Sequence, residues 1–93
     1  MLKWPVLRFE VSGDSMSPQF ESGDRVVVFC WVKIQPGNVI VFAKNGLRMI
    51  KRAIQKNAER WTVRGDNYSA STDSLDFGYV SEEEIIGRVV RKY

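Results

Sequence analysis

The chain is predicted to fold as a compact all-β domain of coiled β-hairpins with one or two short helical turns. Three observations predict it. Apolar residues come in short β-branched and aromatic runs, Val26-Val27-Val28-Phe29 and Val39-Ile40-Val41-Phe42 among them, each too short for a helix of ordinary length. Turn formers punctuate those runs at Pro36-Gly37, Asn45-Gly46 and Gly65-Asp66. Finally, 93 residues with 44% hydrophobic and 27% charged side chains suit a single globular core.

Each element follows from local chemistry. Leu7 to Val11 alternates as a first strand. A bend over Gly13 to Pro18 leads to a second strand, Asp24 to Val32. Gln35-Pro36-Gly37-Asn38 is a strong turn signal ahead of a third strand, Val39 to Ala43. Asn45-Gly46 tolerates the positive φ that a tight hairpin demands, and introduces a long fourth strand, Leu47 to Gln55. Lys56 to Glu59 turns the chain into Arg60 to Arg64. Gly65 to Ser74 is too polar and small for an element and reads as a structured loop. Ser81-Glu82-Glu83-Glu84 fits a capping box with Ser81 as N-cap, hence a helical turn. Gly87 to Tyr93 closes as a last strand. No repeat or linker interrupts this order, so residues 1–93 read as one unit.

Composition excludes several function classes. The net charge of +3 is mild, and Arg88, Arg91 and Lys92 read as a solvated tail, so no nucleic-acid partner is expected. Trp4, Trp31 and Trp61 suit packing better than base stacking. The longest uncharged apolar run is the seven residues Val26 to Val32, against about 20 for a membrane span. Met1 to Arg8, broken by Lys3, Pro5 and Arg8, is no signal-peptide core. The expectation is a soluble, cytoplasmic protein whose only membrane contact is peripheral. Cys30 is the sole cysteine and suits a buried, inert thiol. Glu82-Glu83-Glu84 is a solvated acidic run, and no ligand spacing implies a metal or cofactor. Arg64-Gly65-Asp66 and Asn67-Tyr68-Ser69 match short recognition tripeptides only by accident.

Two residues point to chemistry. Ser15 sits on a Gly-entered, Pro-exited bend, Gly13-Asp14-Ser15-Met16-Ser17-Pro18. A turn cap is the plainer role for it. Lys51 sits mid-strand, sharing a face with Leu47, Met49 and Ala53, while Arg48, Ile50, Arg52 and Ile54 point the other way. A lysine on the apolar face is either buried or snorkelling near a sheet edge, and periodicity leaves both open. The chain has no histidine, which rules out a Ser-His-Asp triad. A serine nucleophile here needs another base, and a desolvated lysine is one.

Four segments, in order, resemble the type I signal peptidase family of serine–lysine peptidases. Gly13 to Pro18 is similar to its nucleophile box, and Ser22-Gly23-Asp24-Arg25-Val26-Val27-Val28 to the strand behind it. Ile50-Lys51-Arg52-Ala53-Ile54 resembles the lysine box. Gly65-Asp66-Asn67-Tyr68-Ser69-Ala70-Ser71-Thr72-Asp73-Ser74 resembles the supporting box. The resemblance implies Ser15 as nucleophile and Lys51 as base, with Ser71 orienting the amine. Gly65, Asp66, Asn67 and Asp73 would support that loop. The Ser15 backbone N–H would be one oxyanion donor. Gly13 stands where some members add a side-chain donor, so a second donor must be backbone or come from elsewhere. Leu75 replaces the arginine that often pairs with the aspartate. The membrane anchor and β insertion of larger members have no counterpart here.

The resemblance further implies removal of a leader or propeptide from a precursor polypeptide bound as an extended strand. The short relatives that mature nickel-type superoxide dismutase are of this size. Phe9, Val11, Met16 and Ile50 would wall a pocket for small side chains. The alternatives are a non-catalytic β module that binds extended peptides, or a LexA- or UmuD-like self-cleaving domain, which shares the Ser-Lys core without the supporting box.

Overall fold

Seven strands pair antiparallel into one sheet in the computed structural model, which describes residues 6–30, 32–67 and 78–93. In chain order they are β1 (Val6–Glu10), β2 (Arg25–Phe29), β3 (Val39–Lys44), β4 (Leu47–Asn57), β5 (Arg60–Arg64), β6 (Val80–Ser81) and β7 (Ile85–Lys92). A single 3-10 turn, Glu82–Glu84, joins the last two. Across the sheet the order is β1-β2-β7-β3-β4-β5-β6, so the final strand inserts between two earlier hairpins. The all-β expectation holds. Among the described residues no helix is long and apolar enough to cross a membrane.

The predicted turns form where their residues allow. Asn45 (φ 55°) and Gly46 (φ 79°) both take positive φ between β3 and β4, as a two-residue hairpin needs. In the Gln35-to-Asn38 turn, the Asn38 N–H donates to the Gln35 carbonyl at 3.0 Å, and the Asn38 side chain accepts from the Gln35 N–H at 2.8 Å. The Gly37 N–H donates to the Ala53 carbonyl at 2.7 Å, which locks this turn to the middle of β4.

Strand ends differ from expectation by more than one residue at three places. β2 stops at Phe29, short of Val32, and Trp31 lies outside the described residues. β4 runs on to Asn57, because Ala58 adopts the left-handed conformation (φ 56°) and makes the turn itself. β7 starts at Ile85, with Gly87 inside it. That glycine is steric: a Cβ there would fall 2.5 Å from the Phe29 carbonyl oxygen and 2.7 Å from the Val28 side chain. Only glycine lets β7 lie this close to β2.

The sheet has two apolar cores on opposite faces. Val26 and Val28 gather with Val11, Met16, Phe20, Val39 and Val41 on one. Trp61 gathers with Ile40, Phe42, Ala53, Val63 and Val80 on the other. Alternation along β3 sorts them: Val39 and Val41 face one way, Ile40 and Phe42 the other. The curl of the sheet lets both faces be covered by a chain this short.

Candidate active site

β4 brings Lys51 to the site. Lys51 lies directly opposite Ile40 of β3 and is 3% exposed. It therefore belongs to the face of Ile40, Met49 and Ala53, as period-2 counting expects. It is the only charged or polar side chain among the buried described residues. Lysine is rarely buried to this degree, which sets Lys51 apart from the other described cations.

Ser15 comes from the loop between β1 and β2, whose fold is set by short polar links. Its base is closed by the Val11 N–H donating to the Asp24 carbonyl and the Gly23 N–H donating to the Val11 carbonyl, both at 2.7 Å. Inside it, the Ser17 N–H donates to the Asp14 carbonyl at 3.1 Å and the Phe20 N–H to the Met16 carbonyl at 2.8 Å. The result is a short helical turn beginning where a serine cap would start one. Met16 is wholly buried in the first core and anchors the turn from beneath. The Gly13 N–H points to the Ser22 hydroxyl at 3.4 Å, a long contact.

Asp24 stands at the foot of this loop. Its carboxylate accepts from the Glu21 N–H at 2.8 Å and faces Lys92 Nζ at 3.3 Å. The backbone donor first, and Lys92 second, hold it below the usual carboxylate range.

The segment after β5 ties the serine loop to β4 at the residue after Lys51. The Asn67 N–H donates to the Ser15 carbonyl at 2.8 Å, and its side-chain amide donates to the Asp14 carbonyl at 3.0 Å. The Asp66 N–H points to the Met16 sulfur at 3.4 Å. The Asp66 carboxylate accepts two bonds from Arg52, at 2.9 and 2.7 Å, in a bidentate pair. Arg52 also donates to the Gly37 carbonyl at 2.7 Å. Donation to the Asp66 carboxylate holds the Arg52 guanidinium above its already high ordinary pKa. Arg52 directly follows Lys51, so Asp66 and Asn67 span from the serine loop to the lysine strand.

Ser15 and Lys51 both line one cavity of about 310 Å³, Lys51 from the face of β4 that carries the second core and the apolar wall residues from the side of the first. Phe9, Val11, Val26, Val41 and Ile50 supply its apolar wall, and Gly13 and Asp14 its rim beside Ser15. Of the four residues expected to wall a pocket, Phe9, Val11 and Ile50 line this cavity. Met16 does not: it is turned into the core beneath the loop, where its sulfur meets Asp66. Gly65 is buried beside Asp66. Ser71, Asp73 and Leu75 lie outside the described residues.

Sequence reading missed Arg52 and Arg48. Period-2 counting puts Arg52 on the face opposite Lys51 and gives it no role, and no local pattern points to Asp66 as its partner. Arg48 lines the cavity and its guanidinium lies 5.6 Å from the Phe9 ring centroid, joining β4 to β1 across the opening.

A search among characterised proteins finds no significant match. The family model described as Peptidase S24-like matches residues 5–90, nearly the whole chain and both the serine and lysine segments. That family supports a serine peptidase in general, on the LexA-like side of the serine–lysine enzymes. The chain belongs to the Peptidase S24-like family.

Proposed function

We propose that the protein is a serine–lysine endopeptidase that removes a leader or propeptide from a precursor polypeptide, as the short relatives of the type I signal peptidases do. The observation that carries this reading is the cavity shared by Ser15 and a Lys51 that is 3% exposed. Neutral Lys51 takes the proton of Ser15 Oγ as that oxygen attacks the scissile carbonyl. The oxyanion is met by the Ser15 N–H and by a second donor near Gly13. The ammonium then returns its proton to the leaving amine, giving an acyl-enzyme and a free amino terminus. Water, deprotonated by the same amine, cleaves the ester and restores Ser15. Ser71 and Asp73 are assigned to orienting Lys51 and bracing its loop by resemblance alone.

An extended substrate has somewhere to pair. The ladder between β4 and β5 begins at Arg52, so among the described residues one edge of Leu47 to Ile50 lacks a strand neighbour beside the cavity. The outer edge of β1 is open in the same sense. Strand addition there presents alternate substrate side chains to Phe9, Val11 and Ile50. The shallow wall favours small residues at two positions separated by one.

The family match favours a second reading, self-cleavage of a LexA or UmuD kind. The two part on molecularity. The wild-type protein and Ser15→Ala are incubated with a library of unstructured peptides and followed by mass spectrometry. Cleavage of peptides after Ala, Gly or Ser by the wild type alone supports precursor processing. A first-order, concentration-independent loss of the chain itself, with peptides intact, supports self-cleavage. Turnover that survives Ser15→Ala defeats both.

A further inference from the structure

The outer face of β1 and β2, with the end of β7 beside them, is basic. Directly opposed residues in an antiparallel pair share a face. Val26 and Val28 are wholly buried, so their partners Phe9, Leu7 and Val89 lie on the inner face with them. The alternate residues lie outward. Val27 stands between Arg8 and Arg91, Phe29 between Val6 and Arg88, and Arg25 opposite Glu10. Arg8, Arg25 and Arg91 are thus exposed on one outer face about 10 Å across, two strand spacings, and half-buried Arg88, which also lies opposite the buried Ile40, borders it. Glu10 is the one acidic residue in these outward positions. Apolar groups are interleaved with the charges: Val6 is 44% and Tyr93 53% exposed, and Arg8 stacks over Tyr93 at 5.5 Å.

We propose that this face docks the protein on an anionic lipid surface. Guanidinium groups interleaved with valine, phenylalanine and tyrosine match the boundary between phosphate headgroups and acyl chains. There the charges find anions and the apolar side chains leave water. A nucleic acid rewards only the arginines, and this three-stranded face offers neither a helix nor a groove to track a backbone. Docking this way has a consequence for the cavity. Phe9 lines it while Arg8 faces the opposite side of β1, so the cavity opens toward water and not into the bilayer. The inference goes beyond the proteolytic reading and does not depend on it.

The test is co-sedimentation with vesicles of phosphatidylcholine alone, or with about a third phosphatidylserine. Binding is expected to the anionic vesicles only, to weaken as salt is raised, and to fall on the order of tenfold or more in Arg8→Gln/Arg91→Gln. Arg60→Gln, on β5 in the other half of the sheet, leaves it unchanged. Both substituted sites are exposed, and an unaltered near-ultraviolet circular dichroism spectrum confirms the fold. Absence of binding to anionic vesicles, equal binding to neutral ones, or full binding by the double variant overturns the proposal. Arginine-dependent binding to a duplex oligonucleotide without vesicle binding overturns it in favour of a nucleic-acid partner.

Discussion

The two halves of the sheet are held by different means. β3, β4 and β5 pair around Trp61, with every residue of β3 paired to β4 and one register shift, between Ala53 and Gln55, in the ladder of β4 with β5. The half that carries Ser15 is a loop of some dozen residues held by short polar links and by Met16 sunk in the core. One half delivers the lysine on a rigid strand, and the other delivers the serine on an adjustable turn. Their relative position therefore rests on the bracket of Arg52, Asp66 and Asn67, not on either half alone. A substitution can accordingly strike the chemistry, the platform or the bracket, and each should leave a distinct signature.

The largest effect belongs to the chemistry. Ser15→Ala and Lys51→Ala are each expected to lower turnover by roughly a thousandfold or more, and the double variant to be little worse than either. Single-turnover rates on a good peptide check this, and additive losses would separate the two roles. The proposed base role needs a neutral amine, so the rate should rise with pH through an inflection below the ordinary lysine range. The stability sign follows. A base kept neutral in the folded protein costs stability wherever the unfolded chain is protonated, so under this role Lys51→Met should raise the melting temperature at neutral pH while abolishing activity. A melting temperature that drops instead would mean that Lys51 is held as a charged, well-paired group.

The platform comes next. Trp61 is 1% exposed, and its indole N–H is buried without an acceptor among the described residues. Trp61→Ala should cost about 3–5 kcal/mol through the cavity it leaves. Trp61→Phe should cost far less, about 1 kcal/mol, because it also deletes a donor that is already unsatisfied. Both variants, where folded, should keep the wild-type rate per folded molecule. Equal costs in urea unfolding would show that the indole N–H has found a partner after all.

The bracket is the smaller structural term and the sharper functional one. Arg52 and Asp66 are about a quarter to a third exposed, so Asp66→Asn should cost only about 1 kcal/mol of stability. Displacing the serine loop relative to β4 is felt in the chemistry far more strongly. Turnover is expected to fall roughly ten- to a hundredfold with KM little changed. A loss confined to KM would put Asp66 in substrate binding and not in positioning.

What the sequence disclosed divides along the same line. Strand periods, the Asn45-Gly46 hairpin and the face of Lys51 were legible because they depend on neighbours in the chain. Ser15 and Lys51 drew notice through residue type and the absence of histidine. The bracket was hidden because Arg52 and Asp66 meet across the β4–β5 register, which no local pattern states. Met16 was misassigned for a related reason. Its position beside Ser15 suggests a pocket wall, but the turn rotates its side chain beneath the loop into the core. The basic outer face was obscured as well, since its arginines come from three strands that are neighbours only after β7 inserts between β2 and β3.

The smallest effect tests whether the two halves can be told apart by acid. Glu84 accepts from the Ser81 N–H at 2.8 Å as one arm of the capping box, with Lys44 Nζ at 3.3 Å. The backbone donor first, and Lys44 after it, lower its pKa. A carboxylate lowered on folding adds stability that is fully present above its unfolded pKa and disappears as pH falls through the folded value. Asp24 is lowered in the same direction, by the Glu21 N–H and then Lys92. The two sites differ in what they hold: Glu84 caps the turn between β6 and β7, whereas Asp24 secures the foot of the Ser15 loop. Glu84→Gln should therefore remove a few tenths of a kcal/mol of stability at neutral pH, flatten part of the acid limb of the stability curve, and leave turnover untouched. Asp24→Asn should also shift the acid limb, but with a measurable loss of turnover, because the Glu21 N–H and Lys92 lose a charged acceptor beside the loop. Thermal melts between about pH 3 and pH 7, paired with rates at neutral pH, separate the two. Equal loss of turnover from both variants would mean that the serine loop is coupled to the β6–β7 turn as well, and that the halves are less independent than their hydrogen bonds imply.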